Sequence, residues 1–426
     1  MTPSTVTISP RSSPRSSSSR QGTPTGHTPP PSAVSVEQID PADAPLSIAD
    51  KLGLAGLALY ILLKPFYILP SGLPQLGDGL LIVMLILLVF QRRVHFNKEA
   101  RAFIGWMVLF AVHATLVNFI WSAILADKKV MLYAAYYIFN VGLVILCLRY
   151  GFLKPKTTLT VIAYATAMSV LLQAGVSFLA DKEETIRQTI SFNNPNQLGY
   201  WSLLSLCIFL SIANRLKFPW YMQAVVPLCL CYTVALSLSK AAMLSSVLTI
   251  FLHVVKNKKM LFISMVVAGI GYVALENSTI VDHVTNRIDN IGQQYDDSFY
   301  ARGYLRIIAW PQYVLLGAGE GAIYRWDDSE YSDDRFEIHS TMATVVFSYG
   351  LVGLTFFLSA IYCIYRGTSF GQFIYVLPPF LYGITHQGLR FSLFWLLFAV
   401  VLVLGSMQEQ EGRQPEKRQQ ERGKKT

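Results

Sequence analysis

Residues 102–126 read AFIGWMVLFAVHATLVNFIWSAILA, a run of apolar and small side chains without one Asp, Glu, Lys or Arg. A helix rises about 1.5 Å per residue, so a run of this length crosses a hydrocarbon core of about 30 Å. Lipid offers the backbone no hydrogen-bond partner, so such a segment must be helical, and the short alternating segments of a barrel are absent. Comparable runs recur at 52–70, 77–91, 131–148, 157–180, 197–213, 219–237, 241–255, 260–276, 340–364, 372–386 and 390–406. The expectation is an all-α polytopic membrane protein of about twelve transmembrane helices. Composition agrees: 53% of the 426 residues are hydrophobic and 14% charged, roughly half the charge of a soluble domain.

The net charge of +9 is carried in short clusters between apolar runs: Arg92, Arg93, Lys98 and Arg101; Arg149, Lys154 and Lys156; Arg215 and Lys217; Lys256, Lys258 and Lys259. They alternate with loops poor in Lys and Arg, the pattern of cytoplasmic loops, so topology accounts for the charge and no nucleic-acid partner is expected. This orientation puts both termini in the cytoplasm of a bacterial inner-membrane protein. The basic tail after Gly405 agrees with it. Cys147, Cys207, Cys229, Cys231 and Cys363 all fall inside predicted spans, where a thiol is a packing residue, so neither a disulfide nor a metal site is expected.

Five regions follow. Residues 1–46 are rich in Ser, Pro and Thr, lack an apolar run and are expected to be disordered. They contain no hydrophobic signal-peptide core, so the span beginning near Lys51 is expected to direct insertion. Residues 47–276 hold nine helices, 277–339 form one large outer loop, 340–406 hold three more helices, and 407–426 are a charged cytoplasmic tail. A connection as long as 277–339 usually carries function. It contains Arg287, Arg302, Arg306, Arg325 and Arg335 among many carboxylates, and Tyr304–Val314 is predicted to be helical.

Four features converge on the predicted outer face. Arg187 leads into Phe192-Asn193-Asn194-Pro195-Asn196-Gln197-Leu198-Gly199, a helix start in which Asn194 caps, Pro195 fits the first turn and Asn196 shapes the approach. Ser237-Leu238-Ser239-Lys240 sets an ammonium at the positive end of a helix, where an anionic ligand explains it better than structure does; a snorkelling lysine is the alternative. Arg302 and Arg306, four residues apart, are expected to share a helical face and form a fork for phosphate oxygens. His339, where the loop returns to the membrane ahead of Tyr349-Gly350-Leu351-Val352-Gly353, suits proton transfer near neutrality.

In this order the motifs resemble the O-antigen ligase and O-antigen polymerase superfamily of bacterial membrane glycosyltransferases. The resemblance covers Arg187 to Trp395 and rests on F-x-N-P-N-x-L-G at Phe192–Gly199, S-[RK]-x-A at Ser239–Ala242, and R-x-x-x-W at Arg306–Trp310. Leu316-Gly317-Ala318-Gly319 and His339 with its following Tyr-Gly complete it. The chain departs from the family in having Lys240 where arginine is common and Ser340 where H-N is common. The resemblance implies a C-type glycosyltransferase-like fold and an inverting, metal-independent transfer of a glycan from an undecaprenyl diphosphate carrier at the periplasmic face, with no cofactor. Arg187, Lys240, Arg302 and Arg306 would stabilise the departing diphosphate, and His339 would activate or orient the acceptor hydroxyl.

Membrane lipids and other polysaccharide-assembly proteins are the further partners expected. A polymerase of surface or exopolysaccharide repeat units is favoured over a ligase acting on a lipid A core. A flippase or transporter, the alternative of another class, calls for intramembrane charges and internal repeats, of which the sequence offers few and none. An inactive partner in a synthesis complex is a third reading.

Overall fold

A computed structural model of the chain describes residues 45–69, 75–88, 91, 94–179, 187–255, 279–289, 302–321 and 337–423, with positions 266, 269, 298 and 300 between them. The expected disorder of 1–46 and the expected span 260–276 lie essentially outside these residues, as do Arg325 and Arg335. Among the described residues the chain is helical throughout, with no strand.

The first bundle helices are α1 (Ile48–Leu63), α2 (Leu76–Leu88), α3 (Lys98–Leu125), α4 (Leu132–Leu153) and α5 (Pro155–Leu179). They continue as α6 (Pro195–Leu216), α7 (Trp220–Ser237) and α8 (Lys240–Val254). Two helices of the connection 277–339, α9 (Thr279–Asp289) and the short α10 (Leu305–Ala309), precede α11 (Thr341–Arg366), α12 (Phe370–Phe373), α13 (Leu377–Thr385) and α14 (Ser392–Gly423). Among the described residues seven stretches are long and apolar enough to cross a membrane: α3, the stretch Lys128–Leu153 that contains α4, then α5, α6, α7, α11 and the part of α14 up to Gly412. Helices α2 and α8 are shorter apolar elements.

Helix α3 shows why the solvent is lipid. Phe103, Met107, Phe110, Ala111, Ala114 and Val117 are buried, while Val108, Leu109, Val112, Leu116, Phe119, Ile120 and Ile124 are exposed. A helix apolar on its inward and its outward face belongs in hydrocarbon, because in water the outer stripe would be polar. The chain is a helical membrane protein. Helices α6 and α14 are its centre, each with 89% of its spanning window buried. Around them α3 packs along α11, α14 lies against α4 and α6, and α1 packs on α2 and α5.

Two expectations about spans need correction. Residues 372–386 are not one helix: α12 gives way to a 3-10 turn at Ile374–Val376 and then to the nine-residue α13. Pro378 and Pro379 lack the N–H groups that a continuous helix would need there. Tyr304–Val314 is also interrupted, because α10 ends at Trp310 and Pro311 opens a separate 3-10 turn.

The expected scarcity of buried charge also fails. Lys64 Nζ pairs with Asp78 Oδ1 at 2.8 Å, both groups about 2% exposed, and Arg149 Nη2 pairs with Asp50 Oδ1 at 2.9 Å. These residues lie near helix ends, and they are buried. Each is buried with an opposite charge in hydrogen-bond contact, the condition under which burial of a charge is tolerable.

The bundle has two chemically distinct ends. At one, Arg149 meets Asp50, Tyr150 donates to Gln91 Oε1 at 3.1 Å, Arg215 pairs with Glu411, and the ends of α3, α11 and α14 approach one another at Glu99, Gly367 and Gly405. This end carries the basic clusters. At the other, Tyr67 N–H donates to Ser191 O at 3.0 Å, Tyr382 OH to Asn196 O at 3.2 Å and Ser340 Oγ to Gly383 O at 3.2 Å. The starts of α6 and α11 and the end of α13 therefore share this second end.

Helix α11 is broken at Gly350 (φ 65°, ψ −172°), roughly 14 Å along its axis. The break is filled by chain from the connection that precedes it. Leu351 N–H donates to Val314 O at 2.7 Å, while Ala318 and Gly319 donate to Phe347 O and Ser348 O at 2.7 Å each. His113 Nε2 of α3 lies 2.8 Å from Tyr349 O. An interrupted helix at membrane depth survives only when other protein groups satisfy its backbone, and here they do. Leu315 and Leu316 are 62% and 61% exposed, as suits a segment whose outer side meets lipid. The expected aqueous loop 277–339 thus includes a stretch, 314–320, that belongs to the bundle.

Candidate functional site

The site end is assembled on helix starts. Asn194 has extended backbone and its side chain accepts from Asn196 N–H at 2.7 Å, with Pro195 in the first turn of α6. The cap exposes the following residues to the mouth of the bundle. Arg187 reaches them: its Nη2 donates to Asn196 Oδ1 at 2.7 Å and its Nε to Ser237 O at 3.2 Å. Asn196 therefore does more than shape a helix start, since it holds a guanidinium. Ser237 also lies three residues before Lys240, so the same arginine joins the start of α6 to the turn between α7 and α8.

That turn is tight. A side chain on Gly199 would meet Ser237 Oγ at 2.7 Å and the Cβ of Ser239 at 3.1 Å, so the glycine lets α6 approach the start of α8. Lys240 is half-buried at the first position of α8. Ser239 caps it only by backbone, and its hydroxyl is buried with no hydrogen-bond partner among the described residues.

Arg302 arrives from the connection between α9 and α10. Its Nη1 donates to Thr385 O at the end of α13, and its own carbonyl accepts from His339 N–H at 3.0 Å. Arg187 and Arg302 both lie within electrostatic reach of the Tyr382 hydroxyl, which donates to Asn196 O. Tyr382 thus ties α13, whose last residue holds Arg302, to Asn196, which holds Arg187. Its ring stacks on Tyr200 at 4.2 Å and on His386 at 4.7 Å. His339 is exposed beside Arg302, and the next residue, Ser340, caps α11 by accepting from Ala343 N–H.

The arginine fork does not form as expected. Helix α10 begins at Leu305, so Arg302 sits in the preceding turn and the two side chains share no helical face. Arg306 is 1% exposed, with Nη1 enclosed near Gly303 and Ile338. Contact between its guanidinium and a ligand is therefore not what its surroundings offer.

A second cluster lies beside the first. Glu320, fully buried, accepts hydrogen bonds from Tyr349 OH at 2.8 Å, from Tyr137 OH, and from Arg390 Nε, with Gln387 Nε2 at 3.4 Å. Its backbone N–H donates to Asn118 Oδ1 at 3.1 Å. Arg390 also pairs with Glu337 Oε1 at 3.2 Å and lies over the ring of Tyr133 at 4.3 Å. Burial works against charge on Arg390, but the carboxylates of Glu320 and Glu337 outweigh it and hold the guanidinium well above its ordinary pKa.

Sequence reasoning missed Tyr382, His386 and Arg390 and gave Glu320 no special role. A visible signal existed for one of them: Arg390 is a lone charge between two apolar runs. Among the described residues no group of three or more His, Cys, Asp or Glu side chains is arranged to hold a metal ion. A polar cavity of about 310 Å³ lined by Glu99, Arg366, Thr368, Ser369, Gln408 and Glu409 opens at the basic end, away from both clusters.

Neither the models of known protein families nor the curated proteins contain a match to this chain.

Proposed function

We propose that the protein is a membrane glycosyltransferase that joins glycan repeat units carried on a polyprenyl diphosphate, as O-antigen polymerases do. The observation that carries the reading is that Arg187, bound to Asn196 Oδ1, and Arg302, bound to Thr385 O, lie at the same end of the bundle, opposite the basic clusters, where Tyr382 donates to Asn196 O and His339 N–H to Arg302 O. By the positive-inside rule that end faces the periplasm.

In such a transfer the bond between the sugar anomeric carbon and the diphosphate oxygen breaks, and negative charge grows on the departing diphosphate. Fixed guanidinium groups stabilise that charge without reorganising. Asn196 Oδ1 and Ser237 O hold the Arg187 guanidinium, and Thr385 O holds that of Arg302, so both side chains are fixed at this end of the bundle. Lys240 adds a point charge at the start of α8. His339 accepts the proton of the acceptor hydroxyl as that oxygen attacks the opposite face of the sugar, which inverts the anomeric centre. Arg306, enclosed behind Gly303 and Ile338, supports the backbone of this region. Incubation of the purified protein with a lipid-linked repeat unit alone tests the reading: a polymerase yields a ladder, and a ligase needs lipid A core in addition.

A transporter of lipid-linked sugar is the second reading, favoured by the buried pairs Lys64–Asp78 and Arg390–Glu320 and by the broken α11. Proteoliposomes that translocate the lipid-linked sugar without elongating it would establish it.

A further inference from the structure

We propose that Glu320 is a positioning residue which, through Arg390, fixes the chain carrying His339 against the turn carrying His386. The inference deepens the glycosyl-transfer reading and rests on it only for its kinetic arm.

Three separated stretches meet at this ion pair. Residues 319–321 supply Glu320, held at its N–H by Asn118. Residues 337–339 supply Glu337, whose Oε1 accepts from Gly321 N–H at 2.6 Å and pairs with Arg390, two residues before His339. Residues 386–390 supply Gln387 and Arg390 directly after His386. The same turn is pinned from α11, since Thr341 Oγ1 donates to His386 O at 3.1 Å and accepts from Gly388 N–H at 3.0 Å.

Apolar residues of similar volume would stabilise a buried site at least as well as an ion pair. A guanidinium bound at once by two carboxylates adds direction, because its planar donors fix the relative orientation of what they hold. Tyr137 and Tyr349 complete the cage around Glu320. Glu320 thereby connects α3 through its backbone N–H, α4 and α11 through its carboxylate, and both histidine-bearing stretches through Arg390.

The test uses the full chain in detergent. Diethyl pyrocarbonate modification followed by mass spectrometry reads the reactivity of each histidine, with exposed His95 at the basic end as the internal control. Arg390→Gln is expected to raise the modification rate of His386 several-fold and leave His95 unchanged, while Arg390→Lys, which keeps the charge and loses the planar fork, falls between Arg390→Gln and wild type. In the elongation assay Arg390→Gln is expected to lower kcat by about ten- to a hundredfold, the scale of an ångström-sized misplacement, with KM little changed, and Arg390→Lys to recover part of the loss.

Unchanged His386 reactivity in Arg390→Gln overturns the proposal. So does a fall in activity that only follows the fraction of folded protein. Should Arg390→Gln fail to accumulate, Glu337→Gln carries the test, with an altered rate at His339 or His386 in support and unchanged rates at both against. If the wild type elongates nothing, the glycosyl-transfer reading fails and histidine reactivity still decides the positioning role.

Discussion

Replacing Gly350 by alanine tests the central feature of the bundle, the filled break in α11. The residue sits at φ 65° and ψ −172°, a region open essentially to glycine, and holding another residue there costs about 1–3 kcal/mol. The added Cβ would lie 2.3 Å from Leu315 O and 2.7 Å from Leu316 N. These are backbone atoms of the inserted segment and cannot rotate away as a side chain would. Forcing them apart costs a further ~1–3 kcal/mol, as overpacking does, so the expected loss is about 2–6 kcal/mol. The paired control is Gly105→Ala in α3, a helical position with nothing within 4 Å of the new carbon. There alanine is expected to be neutral or to stabilise by about 0.5–1 kcal/mol. Thermal unfolding of the purified proteins in one detergent, followed by circular dichroism, compares them. An unfolding midpoint for Gly350→Ala equal to or above that of Gly105→Ala would refute both the break and the seating of 314–319 within it.

Other expectations concern the ends of the bundle. Arg187→Ala is expected to lower elongation by about a hundredfold, the scale seen when one fixed donor to a developing anion is removed, with unchanged membrane insertion; near-normal product would remove it from the site. Asn194→Ala should destabilise by about 1 kcal/mol through loss of the cap on α6, and Asn194→Ser should restore most of it in the same unfolding assay. Lys64→Ala leaves Asp78 buried without its cation and should cost about 3–5 kcal/mol, whereas Lys64→Met combined with Asp78→Leu should recover most of that loss. Equal stability of the single and double variants would mean that water reaches the pair.

The helices were legible because their signal is local. A run such as 102–126 needs no partner to declare itself, and the Asn194-Pro195 start of α6 carries its own cap. The region 372–386 misled because its hydropathy is that of a span while its prolines divide it. The stretch 314–320 misled in the opposite direction: Gly317-Ala318-Gly319 has the composition of a loop, and its place inside α11 depends on a gap that only Gly350 at positive φ creates. Glu320 was invisible as a hub because its partners come from Asn118, Tyr137, Tyr349, Gln387 and Arg390, on four different parts of the chain. Arg302 and Arg306 show the limit of spacing arguments. An interval of four residues pairs side chains only if a helix includes both, and α10 begins too late.

Because Ala318, Gly319 and Leu351 make backbone bonds across the gap in α11, residues 314–319 and the bundle are a single cooperative unit. Cutting out the connection as a soluble fragment would remove its scaffold, and deleting it would leave bare peptide groups facing hydrocarbon. Motion of residues 314–319 is thereby tied to the middle of α11, so that a displacement there would be felt along α11 and, through His113, along α3.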